Sequence, residues 1–124
     1  MKTDILTRAD IEGLINQFYS LVMKDEEIAP FFSEVAKVDW EHHLLQMYNF
    51  WESVLFSKKI FQGNPLRKHL ELNQKQQMTH RHFAVWMRIF ILTVDNLFVG
   101  ENAEKIKQFA QMIRNNLESK VILA

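Results

Sequence analysis

The sequence has no cysteine, and it has only three glycines and two prolines in 124 residues. Without cysteine the chain cannot form disulfides, thiolate zinc sites, iron–sulfur clusters or a covalently attached c-type haem. Glycine and proline supply most tight turns, so their scarcity disfavours β-hairpins and favours long helices. These absences point to a helical protein whose cofactor, if it has one, is held without a covalent bond.

A charge excess of either sign is also absent, because fifteen basic and fifteen acidic residues cancel. A broad nucleic-acid-binding surface needs a positive excess to displace counterions, so we expect no nucleic-acid partner. No apolar run reaches the roughly eighteen residues of a membrane span. The first residues, 1–4, lack the apolar core of a signal peptide. We therefore expect a cytoplasmic protein without a membrane partner.

Large apolar side chains are what the chain has in quantity, with 48% hydrophobic and 12% aromatic residues. They recur at three- and four-residue steps in four segments, which predicts four long amphipathic helices. The predicted helices cover about residues 8–22, 40–56, 79–97 and 102–120. Residues 57–78 hold Gly63-Asn64-Pro65 and a polar run, so we expect only short, broken helix there. No linker or repeat divides the chain, which predicts one all-α domain over residues 1–124.

Aromatic and imidazole side chains occur in an order that suits an iron porphyrin pocket. A neutral histidine such as His69 is a good axial ligand to haem iron when the opposite side stays open. The Tyr19 hydroxyl and the Trp86 indole N–H are hydrogen-bond donors that could serve a ligand. His43 lies one helical turn before Met47 on the same predicted face, where it could contact a ligand.

Each of these residues also has an ordinary interpretation when it is considered alone. His69 is typical of a surface histidine in a basic loop, and His43 of a histidine at the edge of a core. Tyr19 and Trp86 are typical of core aromatics. The five histidines include no His-Glu-x-x-His motif, so we do not expect a zinc site. Only the combination of residues distinguishes a haem pocket from plain packing.

In order and spacing, the motifs resemble the truncated haemoglobins, specifically the third group of these compact bacterial globins. The resemblance spans roughly residues 11–117, and the absence of Gly-Gly pairs is typical of that group. Its most specific segments are Phe18-Tyr19, Asn49-Phe50-Trp51, Pro65-Leu66-Arg67-Lys68-His69-Leu70 and His82-Phe83-Ala84-Val85-Trp86. The resemblance implies a truncated globin fold, in which helices pack two over two around a non-covalent haem b.

The resemblance also implies a role for each matching position. His69 would be the proximal iron ligand, Tyr19 and Trp86 the distal donors, and His43 a distal residue that swings between closed and open positions. The haem wall would be formed by Phe32, Met47, Phe50, Trp51, Leu66, Leu72 and Phe83. The propionates would meet Arg67 and Lys68, with Arg81 a further candidate.

Three functions follow as hypotheses of different classes. The first is a globin that binds oxygen and other small diatomic ligands (nitric oxide, carbon monoxide). Two distal donors would slow oxygen release, which suits oxygen or nitric oxide chemistry better than bulk storage. The second is a haem enzyme with peroxidase-like or nitric-oxide-oxidising turnover, for which a reductase is a candidate partner. The third is a cofactor-free helical interaction module, which would be colourless.

Overall fold

The computed structural model describes residues 1–61 and 63–122. Over these residues the chain forms five α-helices and one short π-helical turn, so the predicted all-α class is confirmed. The helices are α1 (Arg8–Val22), α2 (Trp40–Phe56), α3 (Pro65–Lys75), α4 (His80–Leu97) and α5 (Glu101–Ile122), and the π-helical turn is Phe31–Val35. Within the described ranges, no helix combines the length and apolar character needed to cross a membrane.

Side chains at the helix starts account for the predicted boundaries. The Thr7 hydroxyl accepts a hydrogen bond from the backbone N–H of Asp10 at 3.2 Å, and the Asp10 carboxylate accepts one from the N–H of Thr7 at 3.1 Å. This reciprocal capping box satisfies two backbone donors that would otherwise lack partners in α1. Asp39 caps α2 in the predicted way, and Thr79 precedes α4. The predicted bounds of these three helices are confirmed.

The segment between α2 and α4 differs from the prediction of short, broken helix with His69 in a loop. The structure has a continuous 11-residue helix, α3, and His69 lies within it. The Asn64 side chain caps this helix by accepting from the N–H of Arg67 at 3.0 Å. Pro65 follows at the first helical position, where its fixed φ angle and missing N–H cost nothing. The same Asn-Pro pair that suggested a loop is therefore the start signal of a helix.

Two clusters of buried side chains hold the helices together. The main core is formed by α1, α2, α4 and α5 and includes Phe18, Phe90 and Ile106. A smaller cluster (Phe83, Leu117 and Val121, with Leu66 and Leu70 packed against it) joins α3 to α4 and α5. None of the residues of α3 is fully buried. Because burial of one large apolar side chain stabilises a fold by about 1.5–3 kcal/mol, α3 is the most weakly anchored helix.

The N-terminal segment closes the end of the molecule where α5 begins. The Asp4 carboxylate accepts hydrogen bonds from the backbone N–H groups of Asn102 at 2.9 Å and Ala103 at 2.8 Å, and so caps α5. Gly100 has a φ of 139°, and a Cβ atom there would lie 2.5 Å from Cγ of Asp4. The cap therefore requires both the aspartate and the glycine, although they are distant in sequence.

A buried carboxylate joins α1 to α2. Arg8 Nη1 donates to Glu52 Oε1 at 2.8 Å and to Asn49 Oδ1 at 2.8 Å. The hydrogen bond from Arg8 is the main reason that the pKa of Glu52 is lowered despite burial, and Lys58 adds to the effect. The contact explains why a polar Asn49 precedes Phe50 in the middle of α2: its amide helps to fix the start of α1.

Candidate functional site

A hydrogen bond between α1 and α2 joins two of the predicted distal residues. The Tyr19 hydroxyl lies 2.9 Å from Nε2 of His43, and Tyr19 is only 8% exposed. Burial raises the pKa of Tyr19, so its hydroxyl keeps its proton. Burial, followed by the charges of His42 and His69, lowers the pKa of His43 to about 4. Near neutral pH the imidazole is therefore uncharged, and its Nε2 can accept a hydrogen bond from the hydroxyl.

Two further aromatic rings enclose this hydrogen bond. Phe32 and Trp40 each contact both Tyr19 and His43, with centroid distances between 5.4 and 6.0 Å. They also stack on each other at 5.9 Å with an interplanar angle of 22°. We call Tyr19, Phe32, Trp40 and His43 the distal cluster. Its apolar rings exclude water from the hydrogen bond and so account for the low pKa of His43.

Trp86 approaches the distal cluster through Phe18. Its indole stacks on Phe90 at 5.5 Å, and it meets the edge of Phe18 at 5.6 Å, while Phe18 in turn contacts Tyr19 at 4.9 Å. Among residues 1–61 and 63–122, every buried side-chain nitrogen or oxygen has a hydrogen-bond partner. The half-buried Trp86 is not among the hydrogen-bonded side chains there, so its N–H must reach accessible space.

His69 is oriented by the backbone of its own helix. Its Nδ1 lies 2.6 Å from the carbonyl oxygen of Pro65, one turn earlier in α3, and donates to it. Burial lowers the pKa of His69, and this hydrogen bond only partly opposes the shift. A neutral imidazole with Nδ1–H tied to an acceptor presents Nε2 as its lone-pair donor. That is the arrangement of a metal-ligating histidine with an outer hydrogen bond.

The apolar side chains near these histidines fit a large apolar group. Phe32, Met47, Leu66 and Leu72 are half-buried, and Phe50 has the same intermediate exposure. Phe32, Met47 and Phe50 pack against the edge of the main core and Leu66 against the small cluster, and each keeps part of its apolar surface uncovered. The charge of His69 also contributes to the low pKa of His43, so the two imidazoles lie within electrostatic reach of each other. Haem would have apolar walls and a histidine ligand here.

Two predicted wall residues are covered mainly by protein. Trp51 is 4% exposed and stacks on Phe90 at 4.9 Å, and Phe50 meets its edge at 5.2 Å. Phe83 is 5% exposed and belongs to the small cluster that anchors α3. Their role in the fold is therefore to support the half-buried residues, with little surface of their own to offer.

The three cations predicted to meet the propionates differ in their existing ion pairs. Arg67 and Lys68 are exposed on α3, and Arg67 pairs with Glu71 at 3.3 Å. Arg81 donates through Nε and Nη2 to the two carboxylate oxygens of Glu27, both at 2.9 Å. Its charge is already neutralised, so Arg81 is the weakest of the three candidates. In the described parts of the chain, no three side chains form a metal-binding group of the zinc type.

Sequence reasoning missed two participants that helical spacing could have found. Trp40 lies three residues before His43 on α2, so both share one helix face. The Pro65 carbonyl lies four residues before His69, which is the hydrogen-bonding distance along a helix. Recognition of Pro65 as a helix start would have supplied this partner.

Comparisons with known proteins agree with the site. The chain is 29% identical over 122 residues to the group 3 truncated haemoglobin ctb of Campylobacter jejuni, covering 96% of this chain and 94% of that protein. The crystal structure of a group III truncated haemoglobin from Campylobacter jejuni matches with a TM-score of 0.85 and 27% identity, over 98% of this chain and 95% of the other. A scan against protein-family models gives no match.

The similarity therefore extends over nearly the whole of both chains, in sequence and in structure, and the predicted truncated globin fold is confirmed. The family supported by Phe18-Tyr19, His43, His69 and Trp86 in sequence is the family found by comparison. In sequence and in fold, over nearly its whole length, the chain is similar to the group III truncated haemoglobins.

Proposed function

We propose that this protein holds a non-covalent haem b through His69 and reversibly binds oxygen and other small diatomic ligands at the ferrous iron. Similarity to the truncated haemoglobins over nearly the whole chain supports haem-based ligand binding. The observation that carries the proposal is the orientation of His69, whose Nδ1 is tied to the Pro65 carbonyl and whose Nε2 is left to ligate. Haem, when bound, supplies an iron centre with one position open to a diatomic ligand.

The partner of His69 favours binding over peroxide cleavage. A carbonyl oxygen is uncharged, so it polarises the Nδ1–H bond less than a carboxylate would. The imidazole of His69 therefore stays neutral and donates less electron density than one paired with an aspartate. Weak electron donation supports reversible ligand binding.

The distal side provides two hydrogen-bond donors, and one of them, the Tyr19 hydroxyl, already shares a hydrogen bond with His43. Tyr19 O–H and Trp86 N–H can each stabilise a ligand by about 1 kcal/mol net. Since about 1.4 kcal/mol corresponds to a tenfold change in affinity, both together would slow oxygen release by roughly one to two orders of magnitude. Where the Tyr19 hydroxyl donates to Nε2 of His43, it must give up that hydrogen bond before it can donate to a ligand. Slow release supports a role in oxygen or nitric oxide chemistry rather than bulk oxygen storage.

The alternative function is a haem enzyme with peroxidase-like or nitric-oxide-oxidising turnover, supplied with electrons by a reductase. His43 is uncharged near neutral pH and could accept a proton. However, a general base works best when its pKa lies near the working pH, and the pKa of His43 is lowered to about 4. The weak base and the carbonyl partner of His69 both favour ligand binding. Turnover with peroxide and a reducing donor would distinguish the alternative.

His69→Ala tests the iron ligand. We expect the wild-type protein, expressed with ample haem, to show an intense near-ultraviolet haem band that shifts under carbon monoxide. His69→Ala should lose stable haem retention, because His80, the other imidazole whose Nδ1 is held by an acceptor, is exposed and pairs with Glu118 on α5. His42→Ala, at an exposed position on α2, is the matched control and should keep the band. A wild-type protein that takes up no haem would overturn the proposal.

Tyr19→Phe tests the distal donor. Removal of the hydroxyl should speed oxygen dissociation, measured by stopped flow, by roughly fivefold to tenfold, because one hydrogen bond of about 1 kcal/mol is lost. Tyr48→Phe is the control, since the Tyr48 hydroxyl donates to Asn16 outside the distal cluster. Equal dissociation rates in Tyr19→Phe and wild type would exclude Tyr19 as a donor.

A further inference from the structure

A groove of about 510 Å³ lies between α1 and α2 on the outer side of the distal cluster. Ser20 and Met23 line it from α1, and Leu44 and Tyr48 line it from α2. Tyr19 and Trp40 also form part of its wall. The groove and the distal cluster therefore share two side chains, one of which, Tyr19, takes part in the hydrogen bond with His43.

Trp40 and Tyr19 are the residues shared by the groove and the distal cluster. Tyr19 is buried in the main core and is fixed by Phe18, whereas Trp40 is only half-buried. The Trp40 ring contacts Tyr19 at 5.4 Å and His43 at 5.6 Å. Its displacement would uncover the hydrogen bond from the groove side.

The position of Trp40 in α2 makes such a displacement inexpensive. It is the first residue of the helix, where backbone N–H groups lack partners in the preceding turn. The Asp39 cap contributes one long hydrogen bond there, from the N–H of His42 at 3.5 Å. Lys37, just upstream, has a left-handed backbone with φ of 51°. Helix ends of this kind open locally at much lower cost than helix centres.

We propose that Trp40 is a gate: it closes the groove over the Tyr19–His43 hydrogen bond, and its movement admits small apolar ligands to the distal side. The ligand class is uncharged diatomic molecules, since the mainly apolar wall, whose other side chains are the uncharged Asn16 and Ser20, has no cation to attract an anion. In the closed position Trp40 also holds the His43 ring against Tyr19. The inference rests on the proposed function, because it assumes haem bound by His69.

Trp40→Ala tests the gate by flash photolysis of the carbon monoxide complex. Loss of the ring should speed carbon monoxide association about tenfold, which corresponds to about 1.4 kcal/mol of barrier. Trp40→Phe should give a smaller increase, because a phenyl ring restores part of the contact. Leu55→Ala is the matched control: Leu55 is a buried residue of the same helix outside the groove and the distal cluster. It should associate at the wild-type rate.

A second variant tests the groove from the other wall. Ser20→Phe adds a ring at a residue that lines the groove, whereas His43 does not line it, and the variant should slow carbon monoxide association several-fold. If Trp40→Ala does not fold, the association rate of Ser20→Phe alone tests the gate. The carbon monoxide stretching band gives an independent signature: in Trp40→Ala, Tyr19 is released from His43 and donates to the ligand, so the band should move to lower frequency.

The outcomes separate the gate from the proposed function. Wild-type association rates in both Trp40→Ala and Ser20→Phe, with haem retained, would overturn the gate and leave the haem function intact. A wild-type protein that takes up no haem would instead overturn the proposed function and the gate with it.

Discussion

At the scale of single residues, the His43 imidazole lies in an apolar environment that strongly lowers its pKa. Its imidazole is enclosed by the rings of Tyr19, Phe32 and Trp40, and it bonds to the Tyr19 hydroxyl. Burial is the main cause that lowers its pKa from 6.5 to about 4, and the charges of His42 and His69 contribute. Protonation would remove the acceptor for Tyr19 and leave a charge among aromatic rings. The hydrogen bond in which Tyr19 donates to His43 therefore exists only while His43 is neutral.

A pH titration of the haem-free protein should show this directly. The unfolded chain binds a proton at His43 near pH 6.5, but the folded chain does so only near pH 4. Stability linked to His43 is thus full above pH 6.5 and is lost as the pH falls toward 4. We expect the imidazole proton signals of His43, followed by nuclear magnetic resonance, to titrate near pH 4. In Tyr19→Phe the midpoint should stay low, since burial dominates, and a wild-type midpoint near 6.5 would contradict the enclosed geometry.

At the scale of elements, helices with a strong apolar stripe could be predicted from sequence, and α3 could not. α1, α2, α4 and α5 each carry buried residues at three- and four-residue spacing, which is visible without a structure. α3 has no fully buried residue, and its contacts are made by Leu66 and Leu70 against Phe83 and Leu117. Its stability comes from tertiary packing and from the Asn64 cap, and the spacing of apolar residues in the sequence reveals neither.

In the candidate site, contacts within one helix could also be predicted from the sequence, whereas contacts between helices could not. Contacts within one helix, such as His69 with the Pro65 carbonyl, follow from spacing once the helix is known. The hydrogen bond from Tyr19 to His43 depends on how α1 crosses α2, and no pattern in either helix specifies that crossing. The family resemblance identified both residues, but it could not indicate that they bond to each other.

The whole molecule is held at one end by the small cluster under α3 and at the other by the cap that Asp4 places on α5. Asp4→Ala should lower the free energy of unfolding by about 1–2 kcal/mol, because two backbone N–H groups lose their acceptor. Denaturant unfolding measures the change, with Glu26→Ala at an exposed position as control. Gly100→Ala should produce a loss at least as large, since its Cβ would collide with Asp4. Wild-type stability in both variants would show that the cap does not contribute.

That cap joins two positions 99 residues apart, so it also sets an order of events during synthesis. On a ribosome that adds about 5–20 residues per second, Asp4 is made roughly 5–20 s before Ala103. Throughout that interval Ile5, which is fully buried in the finished fold, has no completed core to enter. The first residues of the nascent chain are therefore among the last to reach their folded positions. Their protection from a protease would show when α5 has been made and has docked.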